Sequence, residues 1–213
     1  MENKVVSDTV ILGDLIGSAR VNDRRAAASK INRSVEAMSR RFRRDMLGAV
    51  AVRGIDELSL ALKVPDRSYL LCSLLNEAVF PLRFRFAIVQ GEIDVGRNSG
   101  DTASMDGPAF HGAADLMPAL KKRNEHFGFS LVSPLDHYNR LLSQLGSLAG
   151  LIIDSRTEQQ NLVIGRYRQL GHQAKVAKKL GVTQQAVSHS LRAASWRHLQ
   201  RTEELITEIL SQR

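Results

Sequence analysis

Three carboxylates stand where they could do chemistry. Asp14 closes the apolar run "TVILGDLIG" just ahead of Gly17, and Asp56 with Glu57 interrupts "RGIDELSLAL" between a short apolar run and a strictly alternating one. An acid at a strand end or hairpin tip has two readings. It is ordinary turn polarity, with Asp56 at a tip and Asp14 capping the chain's turn into a helix, or it helps hold a divalent cation over a nucleotide. His111 has no second His or Cys at metal-ligand spacing and reads as a helix-surface or structural residue. Cys72 is the single cysteine; it lies inside an apolar helical run and reads as a small core residue.

The elements that must position these acids follow from periodicity. "TVILGDLIG" reads as a buried strand, and a helix from about Asn22 steps through Ala27, Ile31, Val35, Met38 and Phe42. "GAVAVRG" and "ELSLALK" read as two strands joined by a tight "GID" turn. Asp66 is expected to cap a helix with Leu70, Leu71, Leu74, Leu75 and Ala78 inward. "LRFRFAIV" alternates Phe84, Phe86 and Ile88 against Arg83 and Arg85, which predicts a strand with one wet or ligand-facing side. Pro108 suits the first turn of a further helix ending near Leu116 or Met117, and "FGFSLVS" reads as one more strand. Residues 96–107, "GRNSGDTASMDG", have turn composition and are expected to form a mobile loop over the Asp14 and Asp56 cleft. Strand, helix, strand, strand, helix, strand is the ferredoxin-like order.

Charge separates the chain's two parts. Residues 166–197 hold seven Lys or Arg and no Asp or Glu, whereas residues 1–155 carry 20 basic and 18 acidic side chains. Most of the +8 net charge therefore belongs to the C-terminal part, and a polyanion such as double-stranded DNA is its natural partner. There, Thr157 and Gln160 make a capping box, Leu162, Val163 and Tyr167 give a first helix its stripe, and Gly171 ends it. Val176, Ala177 and Leu180 form the inner face of a short second helix that stops at Gly181. Thr183 caps a third, expected to bury Val182 at its entry and then Val187 and Leu191. Two short helices across a glycine turn form a helix-turn-helix pattern. "VAKKLGVTQQAVSHSL" is similar to the widespread bacterial form of that motif. That resemblance places Gln184, Gln185, Ser188, His189 and Arg192 toward the major groove, beside the capping Thr183. Arg168, Lys175, Lys178 and Lys179 are left for phosphates. In the last helix Trp196, Leu199, Ile206 and Leu210 recur at helical spacing and predict packing on the bundle or against a second copy in a homodimer.

In the N-terminal part four blocks resemble the class III nucleotidyl cyclase and diguanylate cyclase catalytic fold: "ILGDLIGS", "RGIDELSLAL", "LRFRFAIVQGEIDVG" and "MDGPAFHGAADLM". The resemblance implies that Asp14 and Asp56, on adjacent strands about 4.8 Å apart, hold Mg²⁺ or Mn²⁺ with a bound nucleotide or cyclic dinucleotide. Glu57 would assist, and the amides of Leu15, Ile16, Gly17 and Ser18 would cradle phosphate. Where that family presents an Asn and, four residues on, a charge-stabilising Arg, this chain has His111 and Asp115. An acid in place of a phosphate-clamping cation reverses the electrostatics. Bulky Ile55 also follows Gly54 where the diguanylate cyclase hairpin has a second glycine. These departures favour a nucleotide sensor over an active cyclase, with an enzyme coupled to DNA binding as the alternative.

The whole layout resembles the SatD family. The fold expected is α+β: a ferredoxin-like, cyclase-like domain over 1–134, a connecting helix over 135–155 and a helix-turn-helix domain over 156–213. No apolar run approaches the roughly 18–20 residues of a membrane span, and "MENKVVSDTV" lacks the halves of a signal peptide, so a cytoplasmic DNA-binding regulator is expected.

Overall fold

A computed structural model describes residues 7–48, 51–133 and 137–212. The chain is mixed α+β. Strands β1 (Asp8–Leu15), β2 (Ala51–Arg53), β3 (Glu57–Leu62), β4 (Phe84–Gly91) and β5 (Phe127–Ser130) form one sheet in the order β2-β3-β1-β4-β5. Every pairing is antiparallel except β4 with β5. Helix α1 (Arg24–Arg41) joins β1 to β2, α2 (Ser68–Val79) joins β3 to β4, and α3 (Pro108–Arg123) makes the parallel crossover to β5. Five helices follow in the second half of the chain counting α4 (Tyr138–Asp154): α5 (Glu158–Leu170), α6 (Gln173–Leu180), α7 (Gln184–Ala193) and α8 (Trp196–Ser211) complete it.

Both faces of the central strands are covered, and the pleat divides their side chains between two cores. Ile11, Leu15, Leu60, Phe86 and Ile88 turn toward α1 and α2, where they meet Ile31, Leu71 and Leu75. Val10, Ala61, Ala87 and Val89 turn the other way and pack on Ala109, Ala113, Met117 and Leu120 of α3. The small residues on this second face let α3 lie close to the sheet. Cys72 is fully buried in the first core, and burial pushes its thiol pKa up, as befits a packing residue.

Four expectations change. β4 has no wet side: Arg83 and Arg85 are both buried, paired with Asp154 and Asp14 respectively, because helices cover each face of the sheet. α2 begins after Arg67 rather than on an Asp66 cap, and Val79 rather than Ala78 turns inward. Helix α3 continues past Pro118 to Arg123, since buried Leu120 rewards the extra turn, and Asn124 in the left-handed region ends it. α4 is a structural part of the first core rather than a connector. Gly146 and Gly150 let it approach β5, where an added Cβ would come within 2.9 Å of Phe127 and 2.5 Å of His126. Leu142, Ala149 and Ile153 then complete the core.

Helix α8 returns to the same core. Leu199, Ile206 and Leu210 bury against α2 and α4, so the apolar stripe seen in the sequence is covered within the chain. Each such side chain contributes about 1.5–3 kcal/mol by burial. No helix among the described residues is long and apolar enough to cross a membrane.

Candidate functional site

A cavity of about 770 Å³ opens between the second face of the sheet, helix α3 and the segment 102–106. Its floor comes from Leu12 and Asp14 of β1 and from Glu57 and Ser59 of β3, which the register sets opposite one another: Asp14 pairs with Glu57 and Leu12 with Ser59. Its wall is one face of α3, where Phe110, His111, Ala114, Met117, Pro118 and Lys121 recur at helical spacing. Segment 102–106 makes the third side. The loop carrying it is tied down: Ser59 Oγ donates to Thr102 Oγ1 at 3.0 Å, and Arg97 forks onto buried Asp8 at 2.6 and 2.8 Å. The sequence reading of a mobile cover thus becomes an anchored wall.

Asp14 sits at the inner end between two cations. Lys121 Nζ lies 2.5 Å from Oδ1, and Arg85 Nε lies 3.6 Å from Oδ2. Along this row the sheet places Glu57, Asp14 and Arg85 side by side on three neighbouring strands. Two carboxylates directly opposite one another repel. Lys121, arriving from α3, and Arg85, arriving from β4, offset that cost at Asp14. At the rim His111 Nε2 is 3.0 Å from Asp106 Oδ1, and both side chains are exposed.

The residues do not fit the two-metal site implied for Asp14 and Asp56. Alternation along the hairpin turns Asp56 away from the face that carries Glu57, and its carboxylate meets Arg24 of α1 at 3.7 Å. Asp14 is already held by Lys121 and Arg85. Among the described residues no three His, Cys, Asp or Glu side chains gather as a metal would need. The expected phosphate cradle is likewise engaged. Leu15 N–H donates to Asp56 O at 2.8 Å and Ile16 N–H to Arg83 O at 2.7 Å, which leaves only Gly17 and Ser18 near the turn. Leu15, Ile16, Gly17 and Ser18 all lie outside the cavity, and exposed Asp115 does too. The sequence reading put Arg85 on a wet or ligand-facing side without pairing it to Asp14, and missed Lys121, Ser59, Thr102 and Asp106. The α3 spacing alone could have found Lys121, three residues beyond Pro118.

The basic C-terminal part keeps its expected geometry in most details. Thr157 and Gln160 form the reciprocal capping box, and Gly171 and Gly181 end α5 and α6 in the left-handed region. Thr183 Oγ1 accepts from Ala186 N at 3.1 Å and starts α7. Val163, Ile164, Val176, Ala177, Val187 and Leu191 form the inner cluster, closed by Trp196. Ile164 takes the place read for Leu162, which is 44% exposed, and Val182 is 36% exposed rather than buried, because the turn swings it outward. Thr183, Gln184, Gln185, His189 and Arg192 are exposed and Ser188 is half-buried, while Lys175, Lys178 and Lys179 project from α6. Gln173 of α6 joins Thr183, Gln184, Gln185 and Ser188 around a hollow at the start of α7.

Arg168 departs from its expected phosphate role. Its guanidinium forks onto Glu77 at 2.8 and 3.0 Å, reaches Glu203 at 2.6 Å and stacks over Trp196 at 4.4 Å. Glu77 also takes Arg156 at 3.2 Å, and Ser73 donates to Glu203 at 2.6 Å. Burial works to lower the Arg168 pKa, yet Glu77 and Glu203 outweigh it and hold the pKa above the ordinary arginine value. For Arg156 burial prevails and the pKa falls, despite Glu77. This buried cluster joins α2 to α5 and α8, and thereby fixes the basic part to the α/β part.

The fold and these two features define a mixed α+β protein that carries a cavity on one side of its sheet and a basic helical unit clamped to the other. The SatD family model matches residues 9–210, and the chain belongs to that family. No curated protein matches. One solved structure, the regulator of polyketide synthase expression from Bifidobacterium adolescentis, aligns over 96% of this chain and 86% of its own at 14% identity. Its TM-score is 0.27, a likeness too low to carry an argument.

Proposed function

We propose that this protein is a DNA-binding transcriptional regulator whose helices α6 and α7 form a helix-turn-helix, with α7 as the recognition helix. One observation carries the reading. α7 buries only Val187 and Leu191 and turns Gln184, Gln185, His189 and Arg192 outward, beside three solvent-facing lysines of α6 and with no acid between residues 166 and 197. Glutamine pairs with adenine through two hydrogen bonds and arginine with guanine, while lysines hold register on phosphate.

The α/β part then serves as a sensing and dimerising module of cyclase-like, ferredoxin-like descent. Its chain order supports this. So does the meeting of Asp14, Glu57 and His111, which belong to three of the blocks that resemble cyclases, around one cavity. We assign the ligand to that cavity rather than to the loop 15–18. Dimerisation falls to the outer face of α4, where Leu141, Leu148 and Leu151 are each more than half exposed and α8 is no longer available. Reading two half-sites by paired recognition helices calls for such a dimer.

Fluorescence anisotropy with a labelled duplex across a salt series tests the DNA reading. Replacing Lys178 and Lys179 with Ala should weaken binding to every sequence and lower the salt slope by about two. A full-length protein that shows no salt-dependent binding at low ionic strength defeats the reading. For the dimer, sedimentation equilibrium should show Leu148→Glu as a monomer where the wild type is a dimer.

A further inference from the structure

We infer that the cavity under α3 binds a small organic cation with an apolar body, such as a protonated arylalkylamine, and does not bind a polyphosphate. The inference rests on the reading of the α/β part as a sensing module, and it names the chemistry that module takes.

Size comes first. A volume of about 770 Å³ falls inside the range of roughly 300–1,000 Å³ typical of small-molecule sites. The walls are chiefly apolar, from Leu12, Met105, Phe110 and Met117. Such a lining takes up a hydrocarbon or aromatic body by removing its surface from water.

Polarity decides the rest. Three carboxylates line the space, Asp14, Glu57 and Asp106, against the single ammonium of Lys121. Lys121 is already engaged with Asp14, and Arg85 lies behind the same acid. Glu57 forms no ion pair with any described residue, and Asp106 is held through Oδ1 by the His111 imidazole and the Gly107 N–H, with no cation on it among the described residues. The charged groups left over are carboxylate acceptors, beside the hydroxyl of Ser104. Helix α3 adds another acceptor, because Pro118 has no N–H to give the carbonyl of Ala114, and both residues stand on the cavity wall. A cavity that presents acceptors over an apolar lining is complementary to a ligand that carries N–H donors and positive charge on an apolar body. A triphosphate would bring several negative charges against Glu57 and Asp106, and both Asp14 oxygens are already held, by Lys121 and Arg85. Hydrogen bonds between a charged donor and a carboxylate are the strong kind, so the charge should set the preference.

Isothermal titration calorimetry on the full chain decides it, with three isosteric probes: 2-naphthylmethylammonium, 2-naphthylmethanol and 2-naphthoate, and with GTP plus Mg²⁺ as the fourth. The ammonium should bind about tenfold or more tightly than the alcohol, and the carboxylate least of all. Glu57→Gln should bring the ammonium and alcohol affinities close together and leave the alcohol unchanged; Glu57 is exposed, and an unshifted melting temperature confirms that the variant folds. Phe110→Ala should weaken both. Equal or tighter binding of naphthoate or of GTP with Mg²⁺ overturns the inference, and so does no saturable binding of any naphthyl probe. The DNA reading fails or stands separately, since no DNA is present in these titrations.

Discussion

The basic helical unit and the cavity under α3 are built on opposite principles. Residues 157–196 are organised by neighbours in sequence: a capping box, two glycine stops and a threonine cap place α5, α6 and α7, and side chains three or four apart make the inner cluster. The cavity is organised across the chain. Its floor needs β1 beside β3, its wall needs α3 laid over both, and its third side needs a loop tied by Arg97 to Asp8, 89 residues earlier. A local unit presents its working face by exposure, whereas an assembled site presents it by enclosure. The first tolerates substitution on its outer face with little loss of stability. In the second, a polar group can double as a structural contact, as Asp14 shows between Lys121 and Arg85.

The largest effect should come from the cluster that joins the two. Glu77→Ala leaves Arg156 and Arg168 buried without their carboxylate, and should cost about 3–5 kcal/mol in denaturant unfolding. If unfolding then occurs in two steps, the basic unit and the α/β part are separable folding units; a single weakened transition makes them one. Within the reading face, Arg192→Ala should relax discrimination at one base position by about 1–3 kcal/mol while leaving the melting temperature in place. A uniform loss across sequences would move Arg192 to the phosphates and blur the division drawn within α6 and α7. Thr183→Ala removes the α7 cap and should cost about 1 kcal/mol by the same denaturant measurement.

The smallest effect is the dependence on acid. Burial alone would raise the Asp154 pKa, but the contacts with His126 and Arg83 outweigh it and hold the carboxyl below its usual value. A depressed folded-state pKa stabilises above the unfolded value, near 4 by convention for Asp, and that contribution disappears as pH falls through the folded value. The wild type should therefore lose stability from about pH 4 downward, and Asp154→Asn should be less stable at neutral pH and show a shallower acid limb. Because Asp154 is about one-third exposed, solvent keeps the difference modest.

The sequence by itself determined the elements, the two-part charge distribution and nearly the whole inner cluster of α5 to α7, because helical period and caps act over three or four residues. It also marked Asp14 and the acidic hairpin as unusual. Only the tertiary structure decided which hairpin acid faces the cavity. Cross-strand register sets Glu57 opposite Asp14, and the pleat then turns Asp56 toward Arg24. Tertiary packing likewise turned Arg168 from a surface cation into the centre of a buried cluster with Glu77 and Glu203, and covered the α8 stripe with α2 and α4. For Arg168 the carboxylate partners lie 35 to 91 residues away, and no local pattern encodes a contact whose other half lies on a distant element.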